Sequence, residues 1–433
     1  MSDLIKNAKA RVGQAELYVS RNRRLDVRYA DSRLAAVTAD DLFSTALRVI
    51  DKGRLGAAFG VLPDDPGLLA RAKAAAALSD PAGFSFSRSR RFAEVHPHDA
   101  ETARLETQNL IDLCEKVKKR IGPALPDVAL SLRASATREN IEIETSGGTH
   151  AAHEGSCLRL EIHAPIRGGG SPVAKGKSSV SPFGVPLDLV DEFIEWHRWT
   201  ETASTPDTGQ HPVLFAPEAS FLYLLPLCAG LDGEAVAKGT SPLARRLGEP
   251  ILSPLLTVVD DPLVPDKPQS RAFDDEGVPC RRRSLVEKGV LKSLLLDLHS
   301  AAQLGQSSTG NGYKRRLFGS GPEIAPNPWP GQILIEPGET PWRELLSSID
   351  DGLLVTDGLG FHSANYPQGQ FSVQALGYHV KRGRVAGRLE RTMIAGNIYE
   401  DFQRVLAVSR EQLEGGAAYA PYVLVDSIQV AGS

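Results

Sequence analysis

A β-hairpin followed by a glycine-rich loop is predicted within residues 273–315, and this stretch constrains the fold more than any other. Strands are predicted over residues 282–287 and 290–297, because the intervening Lys288-Gly289 suits the tight reversal of a hairpin. The second strand contains a continuous leucine run, which predicts burial on both of its faces. The stretch is therefore expected to belong to a buried sheet.

Two polar segments with glycines flank this hairpin. The segment FDDEG at residues 273–277 has the acidic, glycine-terminated composition of a turn. A short helical turn is predicted over residues 300–304 and ends at Gly305. The loop STGNG at residues 308–312 follows, and its two glycines allow the backbone to approach another group closely. Taken alone, these residues predict a hairpin with a connecting loop and no specific chemistry.

Further short motifs follow in a fixed order along the second half of the chain. They are DDP at 260–262, FDDEGVP at 273–279, STGNG at 308–312, IEPG at 335–338, GLLVT at 352–356, GQFS at 369–372 and IAGN at 394–397. In this order the motifs resemble the TldD/TldE (PmbA) family, the metallopeptidase-related "modulator of DNA gyrase" proteins. A weaker resemblance extends to the N terminus through ELYV at residues 16–19 and RVIDKGRLGAAF at residues 48–59.

The composition is that of a globular protein, since 42% of the 433 residues are hydrophobic and 24% are charged. The net charge of −4 provides no global attraction to nucleic acid or to a membrane, so neither is expected as a direct partner. The N terminus lacks an apolar signal segment and no long apolar run occurs, which predicts a cytoplasmic protein. The four cysteines lie far apart and indicate neither a disulfide framework nor a zinc ribbon.

The alternation of helix-like and strand-like segments predicts an α+β fold. Residues 1–105 are predicted to form an N-terminal α/β domain with antiparallel ribbons and helices. Residues 106–210 are predicted as a central domain, which includes a helix over residues 187–199. Residues 211–433 are predicted as a C-terminal, largely antiparallel β-sheet domain of the TldD/PmbA type, with a helix over residues 398–408.

Residues 212–233 decide which chemistry the resemblance implies. In the catalytic branch of the family this helix carries His-Glu-x-x-x-His, whose imidazoles bind zinc and whose glutamate polarises the attacking water, and a cysteine near the C terminus completes the metal site. Alignment on the GLDG sequence that ends the segment places Leu224, Leu225 and Ala229 at the three motif positions. Leucine and alanine have no lone pair for zinc and cannot act as a general base. No cysteine follows Cys280, so the thiolate ligand is missing as well.

The missing zinc ligands are typical of the TldE (PmbA) branch, whose members pair with a TldD-type zinc metallopeptidase subunit. The resemblance therefore implies a non-catalytic subunit that helps to enclose and process unfolded peptides, which it would bind by strand addition. No cofactor is expected in this chain, and zinc is expected in the partner subunit. Five residues are expected to face the peptide-binding chamber: Ser308, Thr309, Asn311, His362 and Asn365.

Two other functions stay open on the sequence. The first is a stand-alone peptidase that uses other residues, such as Cys228 or the pair His150 and His153. Two imidazoles next to the carboxylate of Glu154 form a weak candidate for a zinc site. The second is a homodimeric peptide-binding or scaffold protein. Whether the chain itself hydrolyses peptides is therefore left open.

Two segments are predicted to be loops. Residues 150–154 follow Ser146-Gly147-Gly148 and are predicted to form a solvated loop rather than a metal site. Residues 167–181 are rich in glycine and serine, which predicts a mobile loop or linker.

Overall fold

The computed structural model describes residues 3–62, 65–166, 171–317, 319–361, 365–415 and 418–432. Their fold is mixed α+β with antiparallel sheets, which confirms the predicted fold class. The helices are α1 (Asp3–Lys9), α2 (Leu68–Leu78), α3 (Thr107–Ile121), α4 (Leu187–Trp199), α5 (Phe221–Leu231), α6 (Gly233–Ala237), α7 (Leu298–Gln303), α8 (Trp342–Ser347) and α9 (Ile398–Asp401). Within the described ranges, none of the helices is long and apolar enough to cross a membrane.

The strands form two main sheets of six and twelve strands. The first sheet contains β1 (Gln14–Ala30), β2 (Arg33–Asp51), β3 (Arg54–Gly60), β4 (Ser131–Thr145), β5 (His150–Ala164) and β6 (Val173–Ser179). The second contains β7 (Ala203–Ser204), β8 (Gly209–Phe215), β9 (Val258–Asp260), β10 (Arg283–Glu287), β11 (Val290–Leu291), β16 (Ile333–Ile335), β17 (Asp351–Leu359), β18 (Gln370–Lys381), β19 (Arg384–Leu389), β20 (Met393–Asn397), β21 (Val405–Gly415) and β22 (Ala418–Ala431). Two small sheets pair β12 (Gly312–Tyr313) with β15 (Asn327–Pro328), and β13 (Arg315–Arg316) with β14 (Gly319–Ser320).

The six-stranded sheet is antiparallel, with strand order β3-β2-β1-β4-β5-β6. Strands β1 and β2 form a long ribbon whose base is covered by α1 and α2, and a small core there includes Ile5, Leu47 and Ala72. The predicted antiparallel ribbons therefore exist, although they are longer than the separate short strands that the alternation of residues indicates. Helix α3 covers the other end of the sheet and packs on β1 and β4.

The centre of the twelve-stranded sheet is buried on both faces. Along β8, Val213 and Phe215 point into the core that contains α5, whereas Leu214 and Ala216 point into the core that contains α3 and α4. Strands β17 and β22 alternate in the same way, because successive side chains in a strand point to opposite faces. Helix α5 is thus fixed against one face of the sheet by apolar packing alone.

Two secondary-structure predictions in this half are wrong. Strand β11 ends at Leu291, so most of the strand predicted over residues 290–297 is irregular. The backbone N–H of Leu295 instead donates to the carbonyl of Leu231 at 2.9 Å, so the end of α5 takes the place of a neighbouring strand. The helix predicted over residues 398–408 ends at Asp401, because Val405 pairs with Val425 in the sheet.

Both predicted loops contain strands. Residues 150–154 begin β5, because residues 146–149 form the turn of the β4–β5 hairpin. Gly148 adopts a φ of +98° in this turn, which glycine tolerates better than other residues. Residues 173–179 of the second predicted loop form β6 and pair with β5, whereas residues 167–170 lie outside the described ranges. The six-stranded sheet draws strands from both sides of residue 105, and the division into three domains stays a prediction.

Two hairpins with the same Lys-Gly turn give a matched test of packing. Gly53 and Gly289 have φ values of +79° and +78°, but a Cβ on Gly53 meets nothing within 4 Å, whereas one on Gly289 lies 2.2 Å from the Leu252 carbonyl oxygen. We expect Gly53→Ala to cost about 1–2 kcal/mol for the left-handed backbone. Gly289→Ala should cost a further ~1–3 kcal/mol from the clash. Urea unfolding measures both, and equal losses would contradict the packing argument.

Candidate functional site

Helix α5 carries the positions at which the family's zinc motif is expected. Leu224 is 5% exposed and points into the core, whereas Leu225 and Ala229 are half-buried. Residues four apart share one face of a helix, so Leu225 and Ala229 lie in a single stripe with the half-buried Phe221. Leu224 therefore lies in the packed core, whereas Leu225 and Ala229 lie on a partly accessible face of the helix.

The space around Leu224 is closed and apolar. A void of about 10 Å³ remains there, lined by Tyr223, Leu224, Leu227, Leu252, Leu256, Val258, Ile335, Ile398 and Phe402. This volume is at the lower limit for one water molecule, and apart from the Tyr223 hydroxyl the lining offers hydrocarbon instead of ligand atoms. Burial raises the pKa of that hydroxyl, which disfavours the phenolate form that would bind a metal. The residues present do not fit a zinc ion with its bound water at this position.

The second metal candidate is not assembled either. His150 and His153 are three residues apart in β5, so their side chains leave opposite faces of the strand. The Nδ1 atom of His150 lies 3.3 Å from an oxygen of Glu144, whereas His153 lies beside the charges of Arg271 and Asp275. Within the described ranges, no group of three or more histidines, cysteines and carboxylates is arranged to hold a metal ion.

His153 makes the stability of the fold sensitive to acid. Burial, aided by the charge of Arg271, lowers the pKa of His153 to about 3 from the ordinary value of 6.5. Below pH 6.5 the unfolded chain takes up a proton that the folded chain does not, so stability is lost as the pH falls through this window. The free energy of unfolding should fall by ~2 kcal/mol between pH 7 and pH 5.

This pH dependence can be measured by urea unfolding at pH 7 and pH 5. The variant His153→Gln should lose ~2 kcal/mol less than the natural chain between these values. The variant His150→Gln is the control, because the side chain of His150 is 65% exposed. If His153→Gln and the natural chain lost equal free energy of unfolding between pH 7 and pH 5, the pKa of His153 would not be lowered in the fold.

The acidic FDDEG turn is buried and held by hydrogen bonds. The Asp274 carboxylate accepts from the backbone N–H groups of Val278 at 2.9 Å and Gly312 at 2.8 Å, and its burial raises its pKa. Burial would also raise the pKa of Asp275, but the charge of Arg271 at 2.6 Å, the backbone N–H of Lys314 at 2.7 Å and the charge of Arg315 together lower that pKa. Because Gly312 belongs to STGNG, the two motifs form one structural unit.

Glu276 connects this turn to the N-terminal sheet. Arg48 of β2 donates from Nη1 to Glu276 at 2.9 Å, and from Nε and Nη2 to both oxygens of Glu16, each at 2.7 Å. The second oxygen of Glu276 accepts from the N–H of Leu298 at 2.7 Å. The three charged side chains are each at most 6% exposed. This cluster, Glu16–Arg48–Glu276, therefore joins distant parts of the chain through buried charges.

The STGNG side chains also have structural partners. Asn311 is 1% exposed and donates to Asp260 at 2.6 Å. The Thr309 hydroxyl donates to Asn311 at 2.6 Å, and the Ser308 hydroxyl donates to the Leu296 carbonyl at 3.0 Å. Asn311 is thus enclosed, whereas Ser308 and Thr309 also line a cavity of about 550 Å³. A contact between any of them and peptide stays a prediction.

One other predicted chamber residue, Asn365, lies near an aromatic patch, which consists of Phe221, Phe361 and Tyr366. The Phe361 ring lies 5.4 Å from that of Phe221 and stacks at 4.4 Å on that of Tyr366. Asn365 is exposed beside this patch, and His362 lies outside the described residues. The patch borders the accessible stripe of α5, so Asn365 is close to the helix that was expected to carry the zinc motif.

The candidate nucleophile Cys228 is buried in the core around α5. Burial raises the pKa of its thiol well above the usual range, with smaller contributions from Asp260 and Asp232. A thiol without thiolate character is a poor nucleophile. All four cysteines are free.

The chain matches two domains of one family in the expected order. Residues 15–79 match the PmbA/TldA metallopeptidase domain 1, and residues 208–432 match the PmbA/TldA metallopeptidase C-terminal domain. The chain belongs to the PmbA/TldD family. The resemblance that the ordered motifs indicate is therefore confirmed.

Individual PmbA/TldD proteins agree with this assignment. A metalloprotease TldD homologue of Haemophilus influenzae is 24% identical over 333 residues, which span 74% of this chain and 67% of that protein. A metalloprotease PmbA homologue of Buchnera aphidicola is 25% identical, but the match spans only 47% of that relative's length. The crystal structure of TldE from Thermococcus kodakarensis superimposes with a TM-score of 0.90 at 25% identity and covers 99% of both chains. A putative modulator of a DNA gyrase from Thermotoga maritima gives a TM-score of 0.84 at 25% identity, covering 99% and 98% of the two chains.

Proposed function

We propose that this chain is a non-catalytic, TldE/PmbA-like subunit that pairs with a TldD-type zinc metallopeptidase to enclose and process unfolded peptides. The observation that carries the proposal is the apolar packing of Leu224, where the catalytic branch places a zinc ligand. Hydrocarbon side chains supply neither metal ligands nor a general base. In this proposal the zinc and the hydrolytic step belong to the partner subunit.

The similarity to TldE supports the choice of branch. It extends over 99% of both chains, so it includes the N-terminal sheet as well as the C-terminal domain. The alternative of a stand-alone peptidase has less support, because Cys228 is a buried thiol and His150 and His153 lie on opposite strand faces. A pairing subunit needs neither residue for chemistry.

The stripe of α5 and the aromatic patch provide a surface for peptide. Phe221, Leu225 and Ala229 are half-buried, and Phe361 and Tyr366 continue the apolar surface beyond them. An unfolded peptide exposes apolar side chains that such a surface can cover. The exposed Asn365 at the edge of the patch would hydrogen-bond a peptide backbone group.

The ribbon of β1 and β2 provides a surface for the partner subunit. Residues 33–44 of β2 pair with β1 but, within the described part of the chain, with no second strand. Leu34, Val37 and Leu42 are 47%, 43% and 66% exposed on this segment. A strand with one free edge and exposed apolar side chains is suited to pairing with another chain. We therefore place the partner's contact on this ribbon.

The test is to purify the chain alone and together with a TldD-type peptidase from the same genome. Native mass, zinc content and casein cleavage are measured for each sample. We expect a mixed complex that contains zinc and cleaves casein, and that keeps the zinc but loses the cleavage when the motif glutamate of the partner is changed to glutamine. Leu42→Lys in this chain should weaken the complex, whereas Leu78→Lys, at an exposed leucine of α2, is the control.

Two outcomes would reject the proposal. The first is one zinc ion bound per chain, with peptide cleavage, by the isolated protein. The second is an unchanged mass for both proteins on mixing. If the isolated chain instead formed a stable dimer of twice 46.6 kDa that did not exchange with the peptidase, the homodimeric scaffold would replace the proposed pairing.

A further inference from the structure

A cavity of about 550 Å³ lies beside the hairpin segment. Most of its lining comes from three segments, at residues 279–283, 292–296 and 306–309, and Ser89 and Leu247 complete it. The last of these includes Ser308 and Thr309 of the STGNG loop. The volume is within the range of ligand-binding pockets in proteins.

The charge of this cavity is strongly positive. Arg281, Arg283 and Lys292 line it, and no carboxylate is among the described residues of its lining. The nearest carboxylate to Lys292 is that of Glu287, at 3.5 Å from Nζ. The chain as a whole carries a net charge of −4, so this concentration of positive charge is local.

One donor group of Arg283 lacks a hydrogen-bond partner. Its Nε is shut off from solvent and has no hydrogen-bond partner within the described ranges. Burial lowers the pKa of Arg283, the charge of Arg281 lowers it further, and the charge of Asp260 opposes both. A buried donor without an acceptor is unfavourable, and an anion in the cavity would compensate the charge of this guanidinium.

The rest of the lining selects the kind of anion. Leu247 is 58% exposed and adds apolar surface, and Ser307 with its neighbours adds hydroxyl groups. A single inorganic oxyanion would fill a small part of the volume and leave Leu247 uncovered. A peptide with alternating acidic and apolar side chains matches the charge, the hydroxyls and the apolar wall together.

We propose that this basic cavity binds a short acidic peptide segment, whose carboxylates pair with Arg281, Arg283 and Lys292. The inference rests on the proposed function and adds a preference of the subunit for acidic sequences. Arginine suits this role because its planar guanidinium binds carboxylates through two parallel hydrogen bonds. The chain would thereby hold an acidic part of the substrate while the partner subunit cleaves elsewhere.

The experiment measures fluorescence anisotropy of two labelled peptides against the isolated full chain. The probe is the amide Glu-Leu-Glu-Leu with a neutral fluorophore, and the comparison is Gln-Leu-Gln-Leu. We expect the acidic peptide to bind about tenfold or more tightly at low salt. The difference should shrink as the ionic strength rises.

Neighbouring residues provide matched variants. Arg281→Gln/Arg283→Gln should weaken binding of the acidic peptide by about tenfold or more. Arg282→Gln is the control, because Arg282 lies between them and instead faces Asp261 at 3.5 Å and Glu336 at 3.2 Å. Lys292→Gln changes an exposed side chain, so it tests the cavity without endangering the fold.

Three results would overturn the inference. They are equal binding of the two peptides, equal effects of the double variant and the Arg282→Gln control, and displacement of the acidic peptide by equimolar inorganic phosphate. The last would indicate a site for small oxyanions only. None of these results depends on complex formation with the peptidase, so failure here is distinct from failure of the pairing test.

Discussion

Replacing Arg48 with methionine is expected to lower the free energy of unfolding by about 3–5 kcal/mol. The substitution removes a side chain that pairs with Glu16 at 2.7 Å and with Glu276 at 2.9 Å. Both carboxylates are 1% exposed, so they would be left in the core without the guanidinium that they accept hydrogen bonds from. Burial already raises the pKa of Glu276, which shows how unfavourable its charged form is there.

A control for this prediction lies on the same ribbon. Arg21 holds Asp41 through two hydrogen bonds, at 2.8 Å and 2.7 Å, in the same bidentate manner as Arg48 holds Glu16. Its side chain is 53% exposed, so Arg21→Met should cost at most ~1 kcal/mol. Urea unfolding of both variants at pH 7 makes the comparison. Losses of similar size would show that burial does not govern the strength of the cluster.

A triple variant distinguishes the loss of charge pairing from the loss of side-chain packing by Arg48. If the loss in Arg48→Met comes from stranded carboxylates, then adding Glu16→Gln and Glu276→Gln should restore part of the stability. No recovery in the triple variant would indicate that Arg48 acts through packing, for instance through its contact with the Phe86 ring at 5.1 Å.

The sequence pattern predicts those helices and turns whose conformation depends on neighbouring residues alone. Helix α4 begins and ends at the predicted residues, because Val190, Phe193 and Ile194 place a continuous apolar stripe against the core. The hairpin turn at Lys288-Gly289 was likewise readable, since the two-residue loop needs positive φ values at both positions. Helix α9 was misjudged because pairing between Val405 and Val425 overrides the local preference.

The charged clusters could not be predicted in the same way. Arg48 and Glu276 are 228 residues apart, and no spacing in the sequence indicates that they meet. Glu16 and Arg48 do give a signal in retrospect, since each interrupts a short apolar run, at residues 15–19 and 46–50, and they are direct partners across β1 and β2. The basic cavity is equally invisible, because its walls come from separate segments and Arg282 points elsewhere.

The lack of zinc ligands on α5 could be predicted from the sequence, because whether a side chain can bind a metal depends on its own atoms. The substitution Leu224→His should cost about 3–5 kcal/mol of stability, since it removes buried hydrocarbon and places an imidazole in an apolar core. Ala229→His is the matched control on the half-buried face of the same helix, and it should cost less than half as much. Urea unfolding measures both losses.

The combined variant Leu224→His, Leu225→Glu and Ala229→His tests whether the motif alone can restore a metal site. We expect it to be destabilised and to bind less than one zinc ion per chain, because the void near Leu224 is about 10 Å³ and its lining supplies no further ligand. Zinc content by elemental analysis after dialysis is the measurement, with the natural chain treated in parallel. Stoichiometric zinc with casein cleavage would mean that the pocket had kept its catalytic shape and lost only its ligands. The closed packing around Leu224 would then no longer support a purely structural role for this helix.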